Sequence, residues 1–534
     1  MEDAAEDESL RIVASLLIVY AIAQIGAKVV ELPVRSGIES NHNVGSRKVG
    51  GNKRENVEGK DPLKSIIDVQ VLILGAGASG LWAAKSFLQK GFDDFLVLEG
   101  ASYAGGRVHD VDFANVRVEA GANWVVPGAS QISKDVVAMV QRKCLKYHVS
   151  NSNSMVAKES HQQPVSEEHL SKRRGTLLEV MHKVQELGHE LIDQCRRDIS
   201  QRLALTMNGW HPGDALDKAL EWFMYDFEWQ DPPHAVSLKS TARIDNTDAS
   251  WFITDQRGFK SIFDDVTNFL VNSRRLILNK RVAIIDQSGG EKVYVTCADG
   301  SVYRADYILT TFSLGVLQHK LVTFEPPLPE WKVETIDNFR MGLFTKVFVK
   351  FPRKFWGDEE WILHVSDRRG FYPTFLNLEA NGLFPAGTNI LVGFLVGEEA
   401  LRVERQPLED TKAEIYSVMK KLFASDSTQS NDNDHDDIPM PSDIYVTDWS
   451  KNPLYMGSFS NWPVDFTREM SQQMQANVDR VFFGGEATDD MYNGYIIGAI
   501  RSGQRECEKI LRLLMKTNKS SHAMKRSPAE YVFH

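Results

Sequence analysis

Apolar residues are distributed along this chain in runs of different length and period. The longest, IVASLLIVYAIA at residues 12–23, lies near the start. As a helix rising about 1.5 Å per residue it would span about 18 Å, well short of the roughly 30 Å of a bilayer's hydrocarbon core. That length suits the core of a signal peptide, and Ala21-Ile22-Ala23 offers a small-residue cleavage site. Glu2, Asp3, Glu6, Asp7 and Glu8 outnumber Arg11, whereas such peptides usually begin basic, so an N-terminal helix is the alternative. Residues 1–23 are read as a signal peptide and 24–65 as a linker, polar and rich in Gly, Asn, Ser and Lys from about 35 on. A secreted protein is expected, with a cytoplasmic one as the alternative and no stable membrane span.

Beyond the linker the runs shorten. VQVLIL (69–74) is strand-length and β-branched, as for a strand buried on both faces. LWAAKSFLQK (81–90) reads as a helix ended by Gly91, and FLVLE (95–99) as a second strand finishing on Glu99. Residues 148–175 are polar and predict a loop, followed by a helical stretch at about 176–226. LFTKVFVKF (343–351) has a strand pattern that by itself puts Lys346 toward solvent. VDRVFFGGE (478–486) predicts a strand ending in glycines and Glu486, with a helix opening between Gly494 and Ala499. SDSTQSNDNDHDD (425–437) reads as an exposed acidic loop without the central glycine and final glutamate of an EF-hand. The tail after Thr517 is polar and basic and carries one sequon, Asn518-Lys519-Ser520.

Composition narrows the classes. With 534 residues, 43% hydrophobic and 25% charged, the chain has globular composition and room for more than one core. A net charge of −11 disfavours a nucleic-acid partner and suits a cationic ligand. Cys144, Cys195, Cys297 and Cys507 form no CxxC pair, so neither a disulfide framework nor a metal site is expected.

The chemistry-bearing stretch is Asp68–Glu99. The first strand runs into Gly75-Ala76-Gly77-Ala78-Ser79-Gly80, a helix and a second strand follow, and Glu99 stands nineteen residues after Gly80. Gly75 permits the tight turn, Gly77 lets a pyrophosphate approach the backbone, and Gly80 lets the helix pack on the sheet. The helix N-terminus offers amides and a positive dipole, and Glu99 can accept the hydroxyls of an adenosine ribose. The fingerprint leaves NAD and FAD equally open.

Further blocks follow in order: Gly105-Gly106-Arg107, Val118 to Trp124 (VEAGANW), Asp255 to Phe259 (DQRGF), Ser313 to Leu317 (SLGVL), Lys346 with FVKFPRKFW after it, Gly457 to Pro463 (GSFSNWP), Gly484-Gly485-Glu486 and Tyr492 to Tyr495 (YNGY). From about residue 66 to 513 the chain resembles the flavin-containing amine oxidases, most closely their plant-type polyamine oxidase branch. The resemblance implies a mixed α/β fold, with a Rossmann-type FAD-binding domain and a substrate domain of mixed sheet and helices. Both would be discontinuous: FAD-binding parts at 66–147, 248–337 and 445–513, substrate parts at 148–247 and 338–444, and a flexible tail at 514–534.

It also implies roles. Gly75, Gly77, Gly80, Glu99, Gly105, Arg107, Val282, Glu486 and Tyr495 would hold FAD. Lys346 would meet the flavin through a water, and Glu228 would be a substrate-tunnel carboxylate; these two are the catalytic candidates. Trp124, Trp229, Phe344, Phe459 and Tyr495 would line the path of a cationic amine, as aromatic faces suit an alkylammonium. The expected reaction is oxidation of spermine- or spermidine-type amines by hydride transfer to flavin, with O₂ reduced to H₂O₂. Two positions depart from the pattern: Val126 stands where a second tunnel glutamate is expected, and Phe344 where tyrosine is usual. An oxidase of shifted specificity, acting on acetylated polyamines or other amines, is therefore the alternative. A flavin-bound amine-binding protein with weak catalysis is a further one.

Overall fold

The computed structural model describes residues 66–127, 131–160, 163–244, 250–423 and 438–518. The signal-peptide and linker readings, the acidic loop at 425–437, the sequon's Lys519 and Ser520 and the tail beyond lie outside the described residues. Two sheets organise the described chain.

The first holds eight strands. Ile67–Leu74 lies at its centre, parallel to Phe95–Leu98 on one side and to Val302–Thr310 on the other. Leu276–Ile277 extends the sheet beyond Phe95–Leu98, and Val481–Phe483 pairs with Val302–Thr310 in parallel. Val293–Cys297, Val282–Asp286 and Thr323–Glu325 complete the other edge. The continuous apolar run at 69–74 has a direct cause: Val71 and Ile73 pack on one face with helices Ala78–Gln89 and Ile496–Asn518, while Leu72 and Leu74 pack on the opposite face with Val282, Val295 and Phe483. The helix starts three residues earlier than its apolar spacing alone suggested, at Ala78.

The second sheet has the order Asp443–Val446, Phe344–Lys350, Ile390–Val396, Thr374–Asn377, Trp361–Val365, Met155–Glu159. Strand Phe344–Lys350 is covered on both faces. Val347 and Val349 face one core with Phe375, Leu395 and Ile415, and Phe344 and Phe348 face another with Trp361 and Phe394. Lys346 shares the parity of Phe344 and Phe348, and it is buried rather than solvent-facing.

Two expectations need correction. Residues 148–175 are not one loop: Tyr147–Val149 pairs with Trp251–Ile253, Met155–Glu159 adds in parallel to Trp361–Val365, and a helix begins at Glu167. Partners far along the chain supply the hydrogen bonds that these polar segments could not organise locally. The stretch at 176–226 is three α-helices, Glu167–Asp193, Gln201–Met207 and Ala215–Glu221, and then a π-helical turn at Trp222–Asp226. Cys195 and Gly209 adopt positive φ at the breaks, and Ser200 and Asp214 cap the helices that follow. No helix of the described residues is long and apolar enough to cross a membrane.

Candidate active site

The glycine-rich turn meets two other backbone turns. Gly75 has φ +111°, and a Cβ there would lie 2.4 Å from Thr311 Oγ1. A Cβ on Gly80 would lie 1.9 Å from the Gly75 carbonyl, so both positions require glycine. Gly105 donates its amide to the Ala76 carbonyl at 2.8 Å, and Gly106 approaches Gly77 so closely that a Cβ would sit 3.1 Å from its Cα. The Ser79 and Ser502 hydroxyls, 3.0 Å apart, both accept from the Gly485 amide. Arg107 Nη1 donates to Glu486 Oε1 at 2.9 Å and to the Ser458 carbonyl at 2.8 Å, bringing the GGR and GGE turns together.

This cradle fits a dinucleotide. No side chain caps the first turn of helix Ala78–Gln89, so its amides are free to donate to a pyrophosphate. Glu99 is buried, and its oxygens accept from the Ala76 and Ala101 amides at 2.6 and 2.7 Å, each keeping a second lone pair. Burial raises its pKa and the backbone donors oppose that rise. Asn279 and Lys280 donate their amides to the carbonyls of Ala101 and Glu99, which sets Val282 just beyond the same corner. The second Glu486 oxygen accepts from the Gly494 amide at 2.7 Å and from the Ser460 hydroxyl at 2.5 Å, next to the helix that opens at Ile496.

Lys346 reaches from the second sheet toward the loop after strand Val116–Glu119. Its Nζ donates to the Glu119 carbonyl at 2.9 Å, the Gly121 carbonyl at 2.6 Å and Asn123 Oδ1 at 2.8 Å. All three ammonium donors are thus satisfied. Burial pushes its pKa well down, and the Glu119 charge opposes that shift. The Trp124 ring lies 5.6 Å from Nζ. Glu119, Gly121 and Asn123 were not singled out from the sequence, although all three lie within the quoted VEAGANW block.

A relay of aromatic rings connects the lysine to Glu228. Trp124 meets Phe227 at 5.9 Å, Phe227 meets Phe344 at 5.5 Å, and Phe344 meets Phe459 at 5.9 Å. Phe459 packs on Gly494, where a Cβ would lie 3.1 Å from its ring. The next residue, Tyr495, donates its hydroxyl to Glu228 Oε1 at 2.6 Å. Glu228 keeps accessible surface although many protein atoms surround it. Burial raises its pKa and the Tyr495 hydrogen bond opposes this; burial and the Glu228 charge hold Tyr495 well above the ordinary tyrosine range. Trp229 belongs to the same apolar cluster as Phe344 and Trp124, while its carbonyl accepts from Asn461 at 2.8 Å.

The Glu228 segment is fixed at both ends. Arg369 pairs with buried Asp226, and Arg340 donates to Asp231 at 2.7 Å. Gln230, at positive φ, donates from Nε2 to the Phe459 carbonyl at 2.7 Å. The π-helical turn at Trp222–Asp226 shifts the helical register just before Phe227 and Glu228, a feature frequent at functional sites. Val126 and Pro127, both half-buried, follow strand Trp124–Val125 and add no charge there.

A model of the flavin containing amine oxidoreductases matches residues 78–511. The chain belongs to this family. Its cofactor is FAD, in keeping with the dinucleotide cradle described above. Among curated relatives of this amine oxidoreductase, polyamine oxidase 1 of Zea mays is 35% identical over 482 residues, spanning 85% of this chain and 92% of that protein. Polyamine oxidase 6 of Oryza sativa subsp. japonica is 36% identical over 470 residues, 84% of this chain and 91% of that one. A solved putrescine oxidase, the wild type bound to putrescine, shares the fold at TM-score 0.65 with 18% identity, covering 84% of this chain and 100% of that one.

Proposed function

We propose that this amine oxidoreductase is a polyamine oxidase acting on spermine- and spermidine-type amines, with O₂ as the electron acceptor. The observation that carries this reading is the Glu228–Tyr495 pair, 2.6 Å apart, at the end of the run of aromatic rings from Trp124 to Phe459. The identity shared with polyamine oxidases supports it. FAD, when bound, supplies the two-electron acceptance and the reaction with O₂. Gly75, Gly77, Gly80, Glu99, Gly105, Arg107, Val282, Glu486 and Tyr495 are the residues we assign to holding it. Glu228 binds one ammonium of the substrate and sets how deep the chain enters. Trp124, Trp229, Phe344, Phe459 and Tyr495 exclude water along the way and face the alkyl stretches and charged nitrogens. Lys346, drawn toward neutrality by burial, places a water near the reacting atoms. In this reading the first sheet carries the flavin and the second, with the helices at 167–226, carries the substrate.

Val126 favours one second reading, a shifted preference for acetylated polyamines or other amines. A carboxylate and an ammonium about 4 Å apart attract by roughly 4 kcal/mol at an effective dielectric near 20, and desolvation and screening reduce this to about one decade in affinity. The test is oxidation of spermine, spermidine and their N-acetyl derivatives, with H₂O₂ counted and product masses assigned. Turnover of the free polyamines supports the first reading, and turnover of only the acetylated or other amines supports the second. A protein that holds FAD yet oxidises none is the amine-binding alternative. The apolar run at 12–23 supports secretion after cleavage before Gln24, which N-terminal sequencing of the mature protein would verify or refute.

A further inference from the structure

Glu119 is a buried acid that the proposed chemistry leaves unused. It ends strand Val116–Glu119, directly opposite Asp110 in the antiparallel pairing with Asp110–Phe113. Its Oε1 accepts from the Phe259 amide at 2.6 Å. Its Oε2, on a side chain more than nine-tenths buried, has no hydrogen-bond partner among the described residues. An ionised carboxylate oxygen in that state is costly, so such a group favours taking a proton. The Asp110 charge acts in the same direction, while Lys260 and Lys346 oppose it.

Lys346, whose Nζ donates to the Glu119 carbonyl, is a source of that proton. Glu119, Asn123 and Lys346 line one cavity of about 10 Å³, otherwise walled by Val118, Phe348, Phe394 and other apolar side chains. This is about the room of a single water, which needs two to four polar partners. The charged and titratable groups facing Glu119 are Asp110 across the strand pair, Lys260 from the turn Phe259–Phe263, Arg117 from its own strand, and Lys346. Asp110 Oδ1 is paired with Lys260 Nζ at 2.5 Å, while its Oδ2, 3.7 Å from Arg117 Nη1, is a second buried oxygen without a hydrogen-bond partner among the described residues. Lys346 alone among these bonds to the Glu119 backbone.

We propose that Glu119 is the proton partner of Lys346, a positioning residue that sets the charge of the lysine. One Nζ–H bond breaks and one Oε2–H bond forms, relayed by a water in the shared cavity. Ammonium and carboxylate become amine and carboxylic acid, and the net charge of the pair does not change. The amine keeps two N–H donors for the three oxygens around Nζ, and its lone pair accepts a hydrogen bond from a water once the third oxygen gives way. The inference rests on the reading of Lys346 as the lysine beside the flavin. The two groups should titrate as a pair, in two macroscopic steps.

Glu119→Gln in the FAD-loaded enzyme is the test. Gln keeps an acceptor for the Phe259 amide, and the backbone carbonyl that holds Lys346 is untouched. Gln cannot ionise, so the ammonium is no longer favoured by the carboxylate that forms at the upper step of the pair, and Lys346 titrates in one step that lies below that upper step. The acid limb of anaerobic flavin reduction by spermidine should collapse from two steps to one and move down by about one pH unit or more, a tenfold change in proton affinity. Infrared difference spectra across neutral pH should show a protonated-carboxyl band in the wild type that the variant lacks. If Glu119→Gln does not fold, Glu119→Asp should keep two steps and move the band. Superimposable pH profiles and an unchanged band would overturn the pairing. An amine-inert wild type in which the band is present and depends on Glu119 would instead leave the pairing standing and sink the polyamine oxidase reading.

Discussion

Two buried lysines in this molecule have nearly identical surroundings by number and differ in what surrounds them. Lys332 donates to the carbonyls of Gln473, Met474 and Ala476 at 2.9, 2.6 and 2.9 Å, and its Nζ lies 3.8 Å from the Phe483 ring centroid. Lys346 also donates to three oxygens, and burial lowers the pKa of both, that of Lys332 to about 7. The oxygens of Lys332 sit at the C-terminal end of helix Arg468–Gln475, where carbonyls run short of intrahelical donors and a cation is welcome. Those of Lys346 belong to a loop, and an aromatic wall continues from it toward Glu228. Both lysines feel a buried acid with an oxygen unpartnered among the described residues, Glu119 for Lys346 and Glu506 for Lys332. Burial and a depressed pKa therefore do not by themselves mark a reactive lysine. What separates the two is the run of aromatic rings that leads from Lys346 to Glu228 and has no counterpart in the contacts of Lys332 described above.

The contrast can be broken by substitution. Lys346→Met should lower the rate of amine oxidation by roughly a hundred- to ten-thousandfold, the usual range for losing a group that manages protons. Lys332→Met should leave kcat and KM near wild type. It should cost about 2–4 kcal/mol of stability in urea unfolding, because helix-terminal carbonyls lose their donor at about 1–3 kcal/mol each and part of that is offset by no longer burying a charge. If Lys332→Met cut turnover as deeply as Lys346→Met, the comparison would collapse.

Smaller effects sharpen it. Glu228→Gln should raise KM for spermidine about tenfold, as for one partly solvated ammonium–carboxylate pair, with a smaller change in kcat. Stability should also depend on pH through Lys332. Its folded pKa, about 7, lies below the ordinary lysine value of 10.5. Between those values the unfolded chain holds the extra proton, so this residue's contribution makes stability rise with pH across that window and is flat below it. The difference in unfolding free energy between wild type and Lys332→Met should therefore change across that window and not between pH 5 and 6.

Much of the nucleotide corner was legible because backbone geometry dictates residue type there. Gly75 and Gly80 sit where a Cβ collides with Thr311 or with the turn itself, and a strand buried on both faces must read VQVLIL. Lys346 was legible only through resemblance, since a strand pattern cannot say that both its faces are covered. Glu119 was quoted within a block and its free oxygen could not be foreseen, because that depends on Phe259 and Asp110 arriving from other parts of the chain. The strands at 147–159 were hidden for the same reason: their pairing partners lie at 251–253 and 361–365, and the local pattern is that of a loop.

The most direct measurement is anaerobic mixing of the oxidised, FAD-loaded protein with spermidine while the flavin absorption band is followed, in wild type, Lys346→Met and Lys332→Met. The band should bleach rapidly in wild type and Lys332→Met, return when O₂ is admitted, and respond far more slowly in Lys346→Met. Equal bleaching in all three, or none in the wild type with any amine, would contradict the placement of amine oxidation beside Lys346.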